Sequence, residues 1–405
     1  MSDFRVGIQT TASAARAASP VRLECLLEYL ALDAGNLRLR LDAVREACEV
    51  GQWVTARTLI DTGMSLYPDN AGLLAHSGFV YLRAQQYVEA ERALGAALLL
   101  GLEAPELAYN LAFARFMQKR YAEALEALDT LSTLSEVALA LVLRARCLHH
   151  LGRGMDAIAD CKSGLILAPR DADANGLLAL LLYDADQGGG ADRYIQAALV
   201  ANPRQLDALL ARASLQADAG EVDTARLSFD ALLQAHPECG RGWLVLSLLE
   251  LTAMRLDLAR HAIETAVRLM PGHIGSWHVL AWIHIMQKDV PAAALAFEHA
   301  LLLDRTFGET QGGLAIIAAL EGRDDDARAG IRRALRLDPG AMSPHYARVL
   351  LLNRDGQYDE ARAVVDEFLE RQVPRSAANY RELVSAHMRY LRSAARQSAA
   401  SSVLH

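Results

Sequence analysis

The sequence predicts an all-α protein built from about ten copies of a two-helix unit. Two sets of residues keep one period through the 405-residue chain. Prolines recur every 34 residues at Pro169, Pro203, Pro237 and Pro271. Alanines recur in register, with eight intervals of 34 residues and one of 33, at Ala56, Ala90, Ala124, Ala157, Ala191, Ala225, Ala259, Ala293, Ala327 and Ala361. A period of this length is the signature of an array in which neighbouring units share a continuous core.

The chain before the repeats divides into a tail and one helix. Residues 1–19 lack the hydrophobic centre of a secretory signal, and we expect them to form a flexible tail. Residues 20–36 predict an opening helix that closes on the turn-forming residues 33–36, as a degenerate repeat would.

Each period contains two amphipathic helices separated by a polar turn. In the period that starts at Ile274, Trp277 and Ala281 lie at helical spacing, and a polar turn follows at 287–289. Ala293 and Phe297 then lie on one face of a second helix. Small residues allow the two backbones to approach, and proline ends the second helix because it cannot continue the hydrogen-bond ladder. We assign ten units within 37–375: 37–70, 71–104, 105–137, 138–171, 172–205, 206–239, 240–273, 274–307, 308–341 and 342–375.

These positions resemble the tetratricopeptide repeat, whose pattern runs Trp-x-x-Leu-Gly-x-x-Tyr, then Ala-x-x-x-Phe, then Pro. Gly78 and Tyr81 match the first part, and Ala293 and Phe297 match the second. The resemblance covers roughly 84% of the chain. It implies an α-solenoid, a right-handed superhelix whose first helices line a concave groove. Arginine supplies 38 of the 41 basic residues, which indicates a GC-rich and therefore bacterial genome.

Two features modify the array. Gly188, Gly189 and Gly190 replace the start of a second helix and predict either a hinge near 186–190 or a longer turn without motion. After the last repeat, residues 376–397 predict a capping helix, and 398–405 predict a loose tail. Within 379–396 the apolar side of the predicted helix contains Tyr380, Leu383, Val384, His387, Met388 and Leu391.

The resemblance also implies which side chains line the groove, namely five fixed positions of each first helix. These positions are rich in apolar and aromatic residues, which are typical of a surface for a partner's helix or extended peptide. Gly312 and Gly313 lie beside them, where bare backbone either admits a ligand or is a tolerated defect. The alternative is that these side chains pack against neighbouring helices or the chain's own tail. The candidate partner-binding residues are Phe79, Tyr109, Phe113, Phe116, Met117, His149, Tyr183, Leu248, His278, Trp282, Met286, Ile316 and Tyr346.

Composition excludes several classes of function. The net charge of −8 and the lack of a basic face disfavour nucleic acid as a partner. No apolar run reaches the roughly 18 residues of a membrane span. The five cysteines form no Cys-x-x-Cys pair, and the histidines lack metal-ligand spacing, so we expect no metal or cofactor and a cytoplasmic location. No catalytic motif is present, and the repeats leave no room for a catalytic domain, so we expect no enzymatic activity.

The leading hypothesis is a non-enzymatic scaffold that holds an apolar or amphipathic segment of another protein in its groove. The resemblance implies a chaperone or assembly factor of a bacterial secretion or envelope machine. One alternative is a regulatory protein that closes about the glycine hinge on binding a peptide or small ligand. Others are an enzyme accessory subunit and a homo-oligomer paired through its groove or an exposed end.

Overall fold

The computed structural model describes residues 19–102, 104–131 and 134–371. In these ranges the chain forms 21 α-helices, two short 3-10 turns and no strand, which confirms the predicted all-α fold class. The predicted N-terminal tail at 1–18 and the predicted capping helix at 376–397 lie outside the described residues. Contacts divide the chain into two compact units, Met1–Ala211 and Arg212–His405.

The first unit contains an opening helix, α1, and then helix pairs. The helices of this unit are α1 Pro20–Leu32, α2 Leu37–Glu49, α3 Trp53–Leu66, α4 Ala71–Arg83, α5 Tyr87–Leu99, α6 Pro105–Met117, α7 Tyr121–Asp129, α8 Ala138–His150, α9 Gly154–Leu167, α10 Ala172–Asp184 and α11 Asp192–Ala201. Helix α12, Leu206–Asp218, crosses the boundary between the units.

The second unit continues the same arrangement of pairs. Its helices are α13 Val222–Ala235, α14 Gly240–Thr252, α15 Leu256–Leu269, α16 Ile274–Met286, α17 Val290–Leu303, α18 Gly308–Leu320, α19 Asp324–Leu337, α20 Ser343–Arg354 and α21 Tyr358–Leu369. Within this unit α18 packs against its own partner α19 and against α17 and α20 of the neighbouring pairs. In this unit the stacking buries one apolar cluster between α15 and α18 and another between α18 and α20, as neighbouring repeats of a solenoid do.

A left-handed residue closes the turn inside every described pair. In these turns the chain reverses and the amide after the left-handed residue bonds to a carbonyl five residues earlier, as Asp289 N does to His284 O at 2.8 Å. Half of these residues are not glycine, so the left-handed positions cannot be recognised from the amino-acid types in the turns alone. Residues with positive φ occupy this position at Gly51, Gln85, Lys119, Gly152, Asp186, Gly220, Met254, Lys288, Gly322 and Gly356.

The alanines that keep the period lie where the two helices of a pair cross. In the first unit, Ala90 of α5 is fully buried opposite Gly78 of α4. A Cβ atom added at Gly78 would lie 2.4 Å from Leu94 Cγ, so this crossing requires glycine. In the second unit, Ser247 Oγ donates to the carbonyl of Ala259 at 2.9 Å, which satisfies a buried hydroxyl at the equivalent crossing.

The glycine turn in the first unit is a single turn of 3-10 helix at Gly188–Gly190. It follows Asp186, whose φ is 56°, and delays the start of α11 to Asp192. Because α11 has only 10 residues, this pair has a shorter second helix than most of the others. Motion at this turn remains a prediction.

Candidate functional site

The structure places five of the predicted groove residues in the core rather than on an open surface. Each is less than 10% exposed: Phe79, Tyr109, Phe113, Phe116 and Ile316. The physical reason is that they pack against helices other than their own. The Phe79 ring lies 6.3 Å from the ring of Trp53 on α3, and Phe116 lies 5.5 Å from Tyr121 on α7. Their apolar area is therefore used mainly inside the chain.

A small cavity in the first unit lies beside Tyr109 and Phe113, whose rings stack with centroids 6.5 Å apart. Its volume is about 20 Å³, which has room for about one water molecule and not for a ligand side chain. Arg146 also lines the cavity, and its Nη2 lies 2.7 Å from Asp207 Oδ2 in a largely buried ion pair. Burial raises the pKa of Asp173 on the cavity wall, and Arg146 opposes that shift. This cavity is therefore a small gap in the packing around a buried ion pair.

Three further predicted residues lie in the first unit at intermediate exposure, namely Met117, His149 and Tyr183. His149 Nε2 lies 3.5 Å from Asp184 Oδ2, next to Tyr183 on α10. His149 and Tyr183 come from neighbouring first helices, and Met117 ends α6.

In the second unit, His278 is held by its neighbours. Its Nε2 lies 2.8 Å from Thr310 Oγ1, and its ring meets Phe297 edge-on at 5.5 Å. Burial lowers the pKa of His278, and the nearby Glu309 carboxylate partly offsets this shift. The His278 ring is therefore neutral near pH 7 and packs against its neighbours. Leu248 and Met286 remain on the surface of α14 and α16, each about 40% exposed.

An apolar groove in the second unit brings together Trp282 and Tyr346, the last two predicted residues. Their rings meet edge-to-face with centroids 5.4 Å apart. The apolar groove has a volume of about 410 Å³, within the range of ligand pockets. Helices α16, α20 and α21 form its walls with Trp282, Met342, His345, Tyr346, Val349, Val364, Val365 and Phe368.

Different packing contacts hold the walls of the apolar groove in place. Trp282 packs on the buried cluster formed by α18, α19 and α20, which fixes the floor of the groove. Val364 is buried and anchors α21, whereas Val365, Met342 and Tyr346 are each about 40% exposed. Exposed apolar side chains grouped in one concavity are uncommon on a surface and mark a binding site.

One end of the apolar groove is polar. Arg371 Nη2 lies 3.3 Å from His345 Nε2 and 3.5 Å from Glu367 Oε1. The guanidinium also lies 5.8 Å from the ring centre of Phe368. Burial lowers the pKa of His345, and the Arg371 charge lowers it further. The imidazole is therefore neutral near pH 7 and can accept the hydrogen bond from Arg371.

Three of the groove residues missed by the sequence analysis, those on α21, were missed for one shared reason. Val364, Val365 and Phe368 belong to α21, a second helix, whereas the resemblance assigns the groove to first helices. Their apolar spacing at i, i+1 and i+4 on a helix was the available signal.

The adjacent glycines of α18 serve packing rather than ligand approach. A Cβ at Gly313 would lie 2.3 Å from Phe297 Cε1, and one at Gly312 would lie 2.4 Å from Pro344 Cδ. Side chains of the neighbouring helix pairs fill the space beside both glycines. The prediction that bare backbone admits a ligand here is therefore wrong.

Within the described part of the chain, no group of three or more His, Cys, Asp or Glu side chains is placed to hold a metal ion. In the same ranges no helix has the length and apolarity to cross a membrane.

Comparison with known proteins agrees with this architecture. The tetratricopeptide repeat model matches residues 80–135, 176–238 and 210–274. A search of curated proteins finds no match. Among solved structures, the chain is similar to a human IFIT1 dimer with PPP-AAAA, at 16% identity over 87% of this chain and 90% of that one, with a TM-score of 0.54. It is also similar to the APC/C hetero-tetramer Cut9-Hcn1, at 14% identity over 86% of this chain and 83% of that one, with a TM-score of 0.50.

The family model covers residues 80–135 and 176–274, and the stacked helix pairs continue the same arrangement on both sides, so the chain is built from tetratricopeptide repeats. At the identities found, the solved structures show a shared fold alone.

Proposed function

We propose that this protein is an interaction scaffold whose apolar groove in the second unit binds an apolar or amphipathic segment of another protein. The observation that carries the proposal is the concavity of about 410 Å³ lined by Trp282, Tyr346 and Phe368. Aromatic side chains provide large contact areas at low entropic cost, and they are enriched among residues that dominate binding energy.

The chemistry of the walls supports a helical or extended peptide as the ligand. Seven of the eight lining residues are apolar, and His345 is the exception. Such a groove provides few directional contacts for a polar metabolite, whereas it can take the apolar face of an amphipathic helix. Met342 adds an adaptable side chain at the edge.

We also propose the location, the class of partner and the cellular role of the protein. The five cysteines are free thiols, which supports a reducing, cytoplasmic location, and the excess of arginine over lysine supports a bacterial origin. The net charge of −8 supports a protein partner over nucleic acid. A role as chaperone or assembly factor for a secretion or envelope machine rests on the family resemblance, as does the absence of catalysis.

The test begins with affinity capture from native lysate, followed by titration of the purified captured protein. We expect the double variant Trp282→Ala/Tyr346→Ala to bind it at least about tenfold more weakly than the wild type. The matched control is Leu302→Ala, which removes an exposed apolar side chain of α17 outside the apolar groove. Equal affinity of the wild type and the double variant, with circular dichroism unchanged, would refute the proposal.

A further inference from the structure

We propose that the chain's own C-terminal segment, residues 372–405, occupies the apolar groove through its predicted helix at 379–396, and that a partner must displace it. This inference rests on the proposed function, because it names the regulation of the same site. Three observations carry it: where the described chain ends, the apolar pattern of the segment, and its charge.

The chain reaches the groove before the segment begins. Helix α21 ends at Leu369, and Phe368 lies in the groove wall. Arg371, the last described residue, contacts His345 at the same end of the groove. The intervening residues 372–378 can span at most about 25 Å when fully extended. The predicted helix therefore starts within reach of the groove without any change in the second unit.

The segment has the apolar pattern that the groove requires. Tyr380, Leu383, Val384, Met388 and Leu391 follow the spacing i, i+3, i+4, i+8 and i+11, which places them on one face of a helix. A helix of 18 residues is about 27 Å long. Its apolar face would cover the exposed parts of Tyr346 and Val365, two side chains that neighbouring described helices leave about 40% exposed.

Charge favours the same pairing. Residues 342–371, which include the α20 and α21 walls, contain six acidic residues and four arginines, for a net charge of −2. Residues 372–405 contain five arginines and one acid, Glu382, for a net charge of +4 with histidine neutral. Opposite charges on the two surfaces favour their encounter and disfavour a reversed or displaced register.

Covalent linkage gives this occupant an advantage over a free partner. A short flexible linker produces an effective concentration in the millimolar range. A partner of similar intrinsic affinity at micromolar concentration would find the groove mostly filled. The apparent affinity for the partner is then lowered in proportion to the fraction of molecules whose groove is open.

Photo-crosslinking of the purified full chain tests the inference. Tyr346 is replaced by p-benzoylphenylalanine, the sample is illuminated, and the products are mapped by mass spectrometry. We expect a crosslink within one chain to a peptide from 379–396, with a yield that does not change on tenfold dilution. Products that join two chains, or the absence of any product in 379–396, would overturn the inference.

Substitutions in the segment provide the second measurement. Leu383→Asp/Met388→Asp places two charges on the apolar face, and we expect the crosslink yield to fall at least about fivefold. Ser385→Asp lies off that face and serves as the matched control, with an unchanged yield. Equal yields from both variants would contradict the inference, and circular dichroism reports whether either variant alters the fold.

The same variants separate this inference from the proposed function. Release of the segment by Leu383→Asp/Met388→Asp should raise the affinity for the captured partner at least about tenfold. If affinity is unchanged while Trp282→Ala/Tyr346→Ala still weakens it, self-occupation is wrong and the groove remains the partner site. If the crosslink forms but Trp282→Ala/Tyr346→Ala, placed in the Leu383→Asp/Met388→Asp chain, leaves partner affinity intact, the segment occupies the groove and the proposed function is wrong.

Discussion

Replacement of Gly313 by alanine tests how closely the helix pairs of the second unit are packed. Gly313 lies on α18 against the ring of Phe297 on α17. An added Cβ would lie 2.3, 2.5 and 2.6 Å from three atoms of that ring. Phe297 is fully buried, so the ring cannot swing into solvent. One methyl group must therefore displace either the ring or a helix.

Two opposing effects determine how much Gly313→Ala changes the free energy of unfolding. Overpacking of a filled core costs typically about 1–3 kcal/mol, and contact with three rigid ring atoms belongs at the upper end. Alanine in a helix interior gains about 1 kcal/mol over glycine. We therefore expect Gly313→Ala to lower the free energy of unfolding by about 2 kcal/mol.

Gly95 of α5 provides the matched control, because an added Cβ would meet nothing within 4 Å there. Only the helix-propensity gain applies, so Gly95→Ala should stabilise the protein by about 0.5–1 kcal/mol. Urea denaturation followed by circular dichroism measures both variants. A second substitution, Phe297→Leu, should recover part of the loss in Gly313→Ala. Stabilisation by Gly313→Ala would refute the packing argument.

Three more predictions concern buried ionisable groups. Asp207→Asn removes the carboxylate that lies 2.7 Å from the buried guanidinium of Arg146 and should cost about 3 kcal/mol of unfolding free energy in urea titration, whereas an unchanged midpoint would show that the pair is dispensable. Burial lowers the pKa of His278, so the unfolded chain binds its proton first and stability falls as pH drops below about 6.5; His278→Gln should reduce this loss in thermal melts, and parallel curves would contradict the assignment. Burial raises the pKa of Cys161 to about 12, so a thiol reagent at pH 8 should label the exposed Cys25 rapidly and Cys161 only in denaturant. Rapid native labelling of Cys161 would contradict its burial.

The fold class could be predicted because the packing of helix pairs constrains individual positions. Ala90, Ala259 and Ala293 are fully buried at helix crossings where a larger side chain would separate the backbones. Each crossing depends on residues inside one period, so periodicity in the sequence is enough to reveal it. The left-handed turn position has the same period, but residues such as Met254 and Lys288 give no local signal of it.

The candidate site was less predictable because exposure depends on neighbouring pairs. Phe113 and Ile316 occupy nominal groove positions, yet neighbouring side chains enclose both. Trp282 and Tyr346 lie at different positions of their repeats, the ninth and the fifth, but meet across α16 and α20 at a concavity that α21 completes. Phe368 enters the concavity through the packing of α21 on α20 inside the last repeat, but the facing Trp282 comes from α16, two repeats earlier, so no single repeat encodes the groove.

Hydrogen–deuterium exchange of the Leu383→Asp/Met388→Asp chain, whose groove is released from the C-terminal segment, with and without the captured partner, tests the central claim most directly. The apolar groove predicts that added protection concentrates in α16, α20 and α21, around Trp282, Tyr346 and Val365. Protection confined to other helices, with exchange in those three unchanged, would contradict the assignment of the groove as the binding surface.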